Sequence, residues 1–128
     1  MMNNYSDETS VVLLVEDELL VRMAAAEDLQ DAGFHVLEAA NADVALAVLE
    51  TCSHDVQVLF TDIDMPGSMN GLDLAESVQQ RWPHISLLIS SAYHRPLPQQ
   101  IPDDGRFVPK PYSSEDVVKH IRELVTSH

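Results

Sequence analysis

Basic residues and cysteine are scarce in this chain of 128 residues. It has 7 Lys and Arg against 21 Asp and Glu, which gives a formal net charge of −14. This balance argues against nucleic-acid binding and against docking on anionic membranes, because both need clustered positive charge. Cys52 is the single cysteine and cannot form an internal disulfide, which favours a cytoplasmic location.

Long apolar runs are also missing. The longest are about five residues, far short of the roughly twenty that a membrane-spanning helix needs. The first residues, MMNNYSDETS, lack the basic and apolar regions of a secretory leader, so we expect none. With 45% hydrophobic residues, a chain of this length can still bury a core. We expect residues 1–128 to form a single domain, with residues 1–9 as a flexible N-terminal tail.

What the chain contains is a regular alternation of apolar runs and helical patterns. The run at 11–15, VVLLV, is typical of a strand buried on both faces of a sheet. Further strands are predicted at 35–38, 57–61, 85–89 and 106–109, with helices between them. Five strand–helix units predict an α/β fold, a doubly wound parallel sheet with helices on both faces.

Capping residues mark several helix ends. Asn41 and Ser113 are predicted to begin helices, and Gly33 to end the first one. The first helix, from about Glu18, carries a set of apolar residues expected to face inward: Leu19, Leu20, Met23, Leu29 and Ala32.

The segment HRPLPQQIPDDG, residues 94–105, lies where the fourth helix is expected. Its prolines are Pro96, Pro98 and Pro102. Proline breaks a helix interior and biases the preceding residue away from helical geometry. We therefore predict a short or irregular fourth helix, at most one turn around residues 98–101.

Charged and hydroxyl residues stand where the predicted strands end. Glu16 and Asp17 follow the first strand, Asp62 the third, Ser91 the fourth and Lys110 the fifth. The carboxyl ends of parallel strands share one edge of a sheet, where ligands bind. Crowded carboxylates repel, and a hard divalent cation relieves them. Taken singly, each residue has a plainer interpretation: the acids as helix caps or turn residues, Lys110 as a solvated side chain.

Four motifs, one at the end of each of these four strands, support the interpretation of these residues as a binding site. VLLVEDE, TDIDMPG with GLDL, ISSAY and FVPKPY each close a predicted strand. Together they resemble the receiver domain of two-component response regulators, from about Val11 to Val125. The resemblance implies a flavodoxin-like (βα)5 fold with strand order 2-1-3-4-5, in a stand-alone, single-domain protein.

The resemblance also implies a role for each acidic residue. Asp62 becomes phosphorylated. Asp17, Asp62 and the backbone carbonyl of Asp64 bind Mg²⁺ or Mn²⁺, and Glu16 contributes through a metal-bound water. Asp64 and Tyr93 flank the path of an attacking water and tune hydrolysis of the phosphoryl group.

Three further residues complete the implied site. Lys110 contacts the phosphoryl group, and its peptide bond to Pro111 is expected to be cis. Ser91 and Phe107 are the switch hydroxyl and the switch aromatic. Phe107 is also compatible with plain core packing.

The implied function is signalling. A sensor histidine kinase or a histidine phosphotransfer protein donates the phosphoryl group, and the domain then changes its contacts with a downstream protein that the sequence does not identify. We expect a monomer that catalyses only its own phosphorylation and dephosphorylation. Two alternatives are a phosphatase of the haloacid-dehalogenase type, using Asp62 and Asp64, and an adaptor that works without phosphorylation.

Overall fold

A five-stranded parallel sheet forms the centre of the molecule. The computed structural model describes residues 10–102 and 104–126. The strands are β1 Val11–Val15, β2 His35–Ala39, β3 Val56–Asp62, β4 Ser86–Ser91 and β5 Arg106–Pro109. Their order in the sheet is β2-β1-β3-β4-β5. This confirms the predicted flavodoxin-like fold and strand order, whereas the predicted N-terminal tail, residues 1–9, lies outside the described residues.

Four α-helices connect these strands within the described ranges. They are α1 Leu19–Asp31, α2 Ala42–Cys52, α3 Gly71–Arg81 and α4 Ser114–Thr126. The predicted caps are confirmed: the Val44 amide donates to Asn41 Oδ1 at 2.9 Å and the Asp116 amide to Ser113 Oγ at 3.0 Å. Gly33 follows α1 with φ +103°, a conformation that glycine adopts without strain. Of the described helices, none has the length and apolar content needed to cross a membrane.

The sheet separates two apolar cores, because successive strand residues point to opposite faces. Leu13 and Val15 of β1 pack with α2 and α3 on one face, and Val12 and Leu14 pack with α1 and α4 on the other. Fully buried Phe60 anchors the second core from β3. Both cores hold the strand ends in fixed positions at the edge that carries the functional residues.

The predicted inward face of α1 is partly wrong. Leu19, Leu20 and Met23 are 55%, 76% and 54% exposed. The predicted Leu29 is buried and Ala32 packs against the core, and the other residues of α1 that face the sheet are Ala25 and Ala26. The first turns of α1 are apolar on several sides, so periodicity alone does not select a face. The small side chains of Ala25 and Ala26 allow the helix backbone to approach the sheet, and this places the bulky residues outside.

The helical part of the connection between β4 and β5 is short, as predicted for the fourth helix. Its helical structure, within the described residues, is the 3₁₀ turn Pro98–Gln100. Ile101 follows this turn and packs against the core on the α2–α3 side of the sheet. A Cβ at Gly105 would lie only 2.8 Å from Ile101 Cγ2, so glycine gives the isoleucine room against Leu87. Ile101 thus covers sheet surface that a longer helix would otherwise cover.

Candidate functional site

The acidic cluster predicted from the sequence is assembled at the carboxyl edge of the sheet. Glu16 and Asp17 follow β1, and Asp62 is the last residue of β3. Carboxylate oxygens of these three residues lie within 4.8 Å of one another. Glu16 and Asp62 are buried, whereas Asp17 is exposed at the rim of the cluster.

Asp62 is a buried and strongly perturbed carboxylate. It is 5% exposed, and its Oδ1 atom is buried without a hydrogen-bond partner among the described residues. Its Oδ2 atom lies 3.6 Å from Lys110 Nζ. Burial raises the pKa of Asp62 to about 6, with Lys110 opposing the rise and the charges of Glu16 and Asp64 adding to it. The side chain is therefore poorly solvated and incompletely neutralised.

The cluster fits a hard divalent cation. Three carboxylates converge, and one buried oxygen of Asp62 still lacks a partner among the described residues. Mg²⁺ prefers oxygen ligands and is commonly held by one or two carboxylates together with waters and phosphate oxygens. Such an ion would offset the repulsion between the negative charges of these three carboxylates.

Lys110 lies opposite these acids. Its Nζ atom donates to Glu16 Oε1 at 2.8 Å, and the Lys110–Pro111 peptide bond is cis, as predicted. Burial disfavours the ammonium form, but the hydrogen bond to Glu16 and the nearby negative charges outweigh it and raise the pKa of Lys110. The other oxygen of Glu16 accepts from the Glu18 amide at 3.1 Å. Glu16 therefore also positions the lysine, a role that the sequence did not indicate.

Ser91 is fully buried, and its hydroxyl is engaged by Asp64. Ser91 Oγ donates to Asp64 Oδ2 at 2.6 Å and accepts from the amides of Tyr93 and His94 at 3.1 and 2.8 Å. His94 Nδ1 lies 2.6 Å from Asp64 Oδ1. We call this arrangement the Ser91–Asp64–His94 chain. The sequence indicated Ser91, Asp64 and Tyr93, but not His94.

The two predicted aromatic residues differ in burial. Phe107 is half-buried against the core on the α2–α3 side, with the Arg95 guanidinium 6.0 Å from its ring centroid. Tyr93 is 85% exposed, and its backbone amide contacts Ser91. Their roles in switching and hydrolysis, and that of the Asp64 carbonyl as a metal ligand, stay predictions.

Two residues that support the site were not identified from the sequence. A Cβ on Gly71 would lie 2.1 Å from the backbone oxygen of Asp62, so only glycine fits there. Arg22 donates to the backbone oxygen of Glu16 at 2.8 Å and pairs with Glu38 at 3.1 Å. The glycine of the motif GLDL, where the loop after β3 enters α3, was a usable signal of close backbone approach.

An apolar groove of about 730 Å³ opens beside Lys110. It lies between α1 and the segment that follows β5, and its floor includes Ala25 and Tyr112. Leu20, strongly exposed, forms part of its wall. The groove therefore provides an apolar surface directly next to the acidic cluster.

Comparison with known proteins places this geometry in one family. The family model "Response regulator receiver domain" matches residues 12–122. Sensor kinase CckA of Brucella abortus is 32% identical over 120 residues, covering 91% of this chain and 13% of the kinase. Transcriptional regulatory protein PdtaR of Mycobacterium tuberculosis is 29% identical over 119 residues, covering 91% of this chain and 56% of that protein. This chain therefore spans only part of the length of these relatives.

Solved structures agree with the sequence comparisons. The receiver domain of hybrid histidine kinase CckA superposes with a TM-score of 0.79 at 28% identity, covering 91% of this chain and 99% of that one. Chemotaxis protein CheY4 of Vibrio cholerae gives a TM-score of 0.80 at 25% identity, covering 91% and 98%. With the fold, the acidic cluster and the family match in agreement, the chain belongs to the receiver domains of response regulators, the phosphoacceptor domains of two-component signalling.

Proposed function

We propose that Asp62 accepts a phosphoryl group from a phosphohistidine of a sensor histidine kinase or a histidine phosphotransfer protein. The observation that carries this proposal is the buried Asp62 Oδ1, which has no hydrogen-bond partner among the described residues, within a cluster of acids that faces Lys110. Phosphorylation then changes the contacts of the domain with a downstream protein. In this proposal the domain acts in the cytoplasm as a monomer.

The transfer is a displacement at phosphorus. A carboxylate oxygen of Asp62 attacks the phosphorus atom, the new O–P bond forms, and the P–N bond to the donor imidazole breaks with its electron pair returning to the nitrogen. The product carries roughly two negative charges where the carboxylate carried one. Lys110, 3.6 Å from Asp62, is placed to offset part of this increase.

A divalent cation, Mg²⁺ or Mn²⁺, would supply further charge neutralisation at the phosphoryl group. The residues proposed to hold it are Asp17 and Asp62 through their side chains, Asp64 through its backbone carbonyl, and Glu16 through a water. Arg22 and the Glu18 amide hold Glu16 in position for this.

The groove beside Lys110 is where we place the phosphodonor protein. A donor must bring its phosphohistidine to Asp62, and this groove beside Lys110 is lined in part by α1 residues, with Leu20 strongly exposed. An apolar helix of the donor fits this surface. Receiver domains interact with histidine kinases or phosphotransfer proteins, and either kind of donor could bring its phosphohistidine to this surface.

The two alternative functions have less support. A phosphatase that used Asp62 as nucleophile and Asp64 as general acid needs Asp64 free to protonate a leaving group, yet both Asp64 oxygens are engaged, by Ser91 and His94. A phosphorylation-independent adaptor needs neither buried acids nor the lysine. We therefore propose a phosphoacceptor that shows self-dephosphorylation and no turnover of external phosphomonoesters.

Intact-mass measurement after incubation with acetyl phosphate and Mg²⁺ tests the proposal. We expect the wild-type protein to gain the mass of one phosphoryl group, and EDTA to prevent the gain. Asp62→Ala should gain none, whereas the matched control Asp31→Ala, at the exposed end of α1, should be labelled like the wild type. Labelling of Asp62→Ala, or its absence from the wild-type protein, would overturn the assignment.

A further inference from the structure

The Ser91–Asp64–His94 chain uses every hydrogen-bonding position of the Ser91 hydroxyl. A serine hydroxyl has one donor hydrogen and two acceptor lone pairs. Here the hydrogen goes to Asp64 Oδ2, and the lone pairs accept from the amides of Tyr93 and His94. Ser91 follows Ser90, which is the neighbour of Asp62 in the register of β3 and β4. The predicted contact of the Ser91 hydroxyl with a phosphoryl oxygen on Asp62 therefore needs the hydrogen that Asp64 now accepts.

Asp64 is itself held in place from the other side. Its second oxygen, Oδ1, lies 2.6 Å from His94 Nδ1, so the carboxylate is bound at both oxygens. The Asp64 side chain is 22% exposed and that of His94 is 61% exposed. Without His94, Asp64 can turn toward water, and its contact with Ser91 is weakened.

We propose that His94, acting through Asp64, restrains the Ser91 hydroxyl and thereby lowers the affinity of the Asp62 site for a phosphoryl group. This proposal rests on the proposed function of Asp62. His94 is a positioning residue, since it contacts neither Asp62 nor the other acids of the cluster. The restraint and the phosphoryl group compete for one hydrogen, so each weakens the hold of the other on Ser91.

Two substitutions at His94 separate the hydrogen bond from the rest of the side chain. His94→Asn keeps a donor nitrogen near the position of Nδ1, whereas His94→Leu has a similar size and no donor. The probe is beryllofluoride with Mg²⁺, a non-covalent phosphoryl mimic, titrated by calorimetry. We expect His94→Leu to bind it about fivefold more tightly than wild type, since a lost hydrogen bond to a charged group frees the competent state. His94→Asn should bind with wild-type affinity.

A double-mutant cycle tests whether the effect passes through Ser91. In a Ser91→Ala or an Asp64→Ala background, His94→Leu should leave beryllofluoride affinity unchanged, because the chain is already broken. Thermal unfolding of each variant checks that it is folded.

Three outcomes overturn the restraint: equal affinity of His94→Leu and wild type, weaker binding by His94→Leu, or an effect that persists without Ser91. If His94 acted only through its charge on the bound anion, His94→Leu would bind beryllofluoride more weakly and the effect would persist without Ser91. Failure of the wild-type protein to bind beryllofluoride, or binding that survives Asp62→Ala, instead refutes the proposed function, so the two failures are distinguishable.

Discussion

Replacing Asp62, the proposed phosphoacceptor, with asparagine should stabilise the folded domain. In the metal-free protein, burial raises the pKa of Asp62 from 3.8 to about 6, with Lys110 opposing and Glu16 and Asp64 reinforcing the rise. The folded state therefore binds the Asp62 proton more tightly than the unfolded chain does. Asparagine keeps the shape of the side chain and carries no charge, so it avoids this unfavourable ionisation.

The magnitude and its sign follow from proton linkage. Each factor of ten in proton affinity is worth about 1.4 kcal/mol, so the rise from 3.8 to about 6 sets an upper limit of about 3 kcal/mol. Partial access of water to the cluster lowers this, and we expect about 1 to 3 kcal/mol. The destabilisation of the wild-type protein is absent below 3.8, the pKa of Asp62 in the unfolded chain. It grows as the pH rises from 3.8 toward about 6, the pKa in the folded state, and is complete above that value.

Urea unfolding of wild type and Asp62→Asn in EDTA, at about pH 8 and about pH 4, measures this cost. We expect Asp62→Asn to have the higher free energy of unfolding at the upper pH and to lose most of the advantage at the lower one. Mg²⁺ should then stabilise wild type more than the variant, by preferential binding to the folded state. The reasoning is refuted if Asp62→Asn is no more stable than wild type at the upper pH, or if its advantage is independent of pH.

Three further perturbations test other parts of the site. Leu20→Glu should slow phosphotransfer from a protein donor by about tenfold or more without altering labelling by acetyl phosphate. Val44→Glu, at an exposed position on α2, is the control and should alter neither reaction. Equal effects of the two substitutions would exclude the groove as the docking surface. Gly71→Ala should lower the free energy of unfolding by about 1 to 3 kcal/mol, as measured in urea, and also slow labelling, because its Cβ displaces the Asp62 backbone. Gly33→Ala should cost stability alone, so normal labelling of Gly71→Ala would contradict this account. Tyr93→Ala should change the rate of dephosphorylation, followed by intact mass, without preventing labelling; an unchanged rate would remove Tyr93 from the water path.

The fold was largely predictable because its signals are local. The run VVLLV reports a strand buried on both faces, and Asn41 and Ser113 cap their helices as their side-chain chemistry requires. The prolines of residues 94–105 likewise exclude a regular helix without reference to the rest of the chain. The orientation of α1 depends instead on how closely a helix can approach the sheet, and Ala25 and Ala26 decide this through packing.

The members of the site were predictable and several of their contacts were not. Parallel strands must bring Asp17, Asp62 and Lys110 to one edge, because topology alone determines this. The contact of Ser91 with Asp64, and of Asp64 with His94, depends on side-chain rotamers and on the path of the loop after β4. Such contacts leave no periodic pattern in a sequence.

The exposed apolar residues of α1 have a consequence for the behaviour of the protein in concentrated solution. Leu19, Leu20 and Met23 form an exposed apolar strip on α1. Two such strips, on two copies of the protein, would associate in water if nothing opposed the contact. A net charge of −14 makes every pair of molecules repel before these strips can meet. This protection fails close to the isoelectric point of about 4.4, and concentrated salt screens it. Low pH or high salt should therefore cause association through α1, whereas a dilute neutral buffer keeps the strip free for the proposed phosphodonor protein.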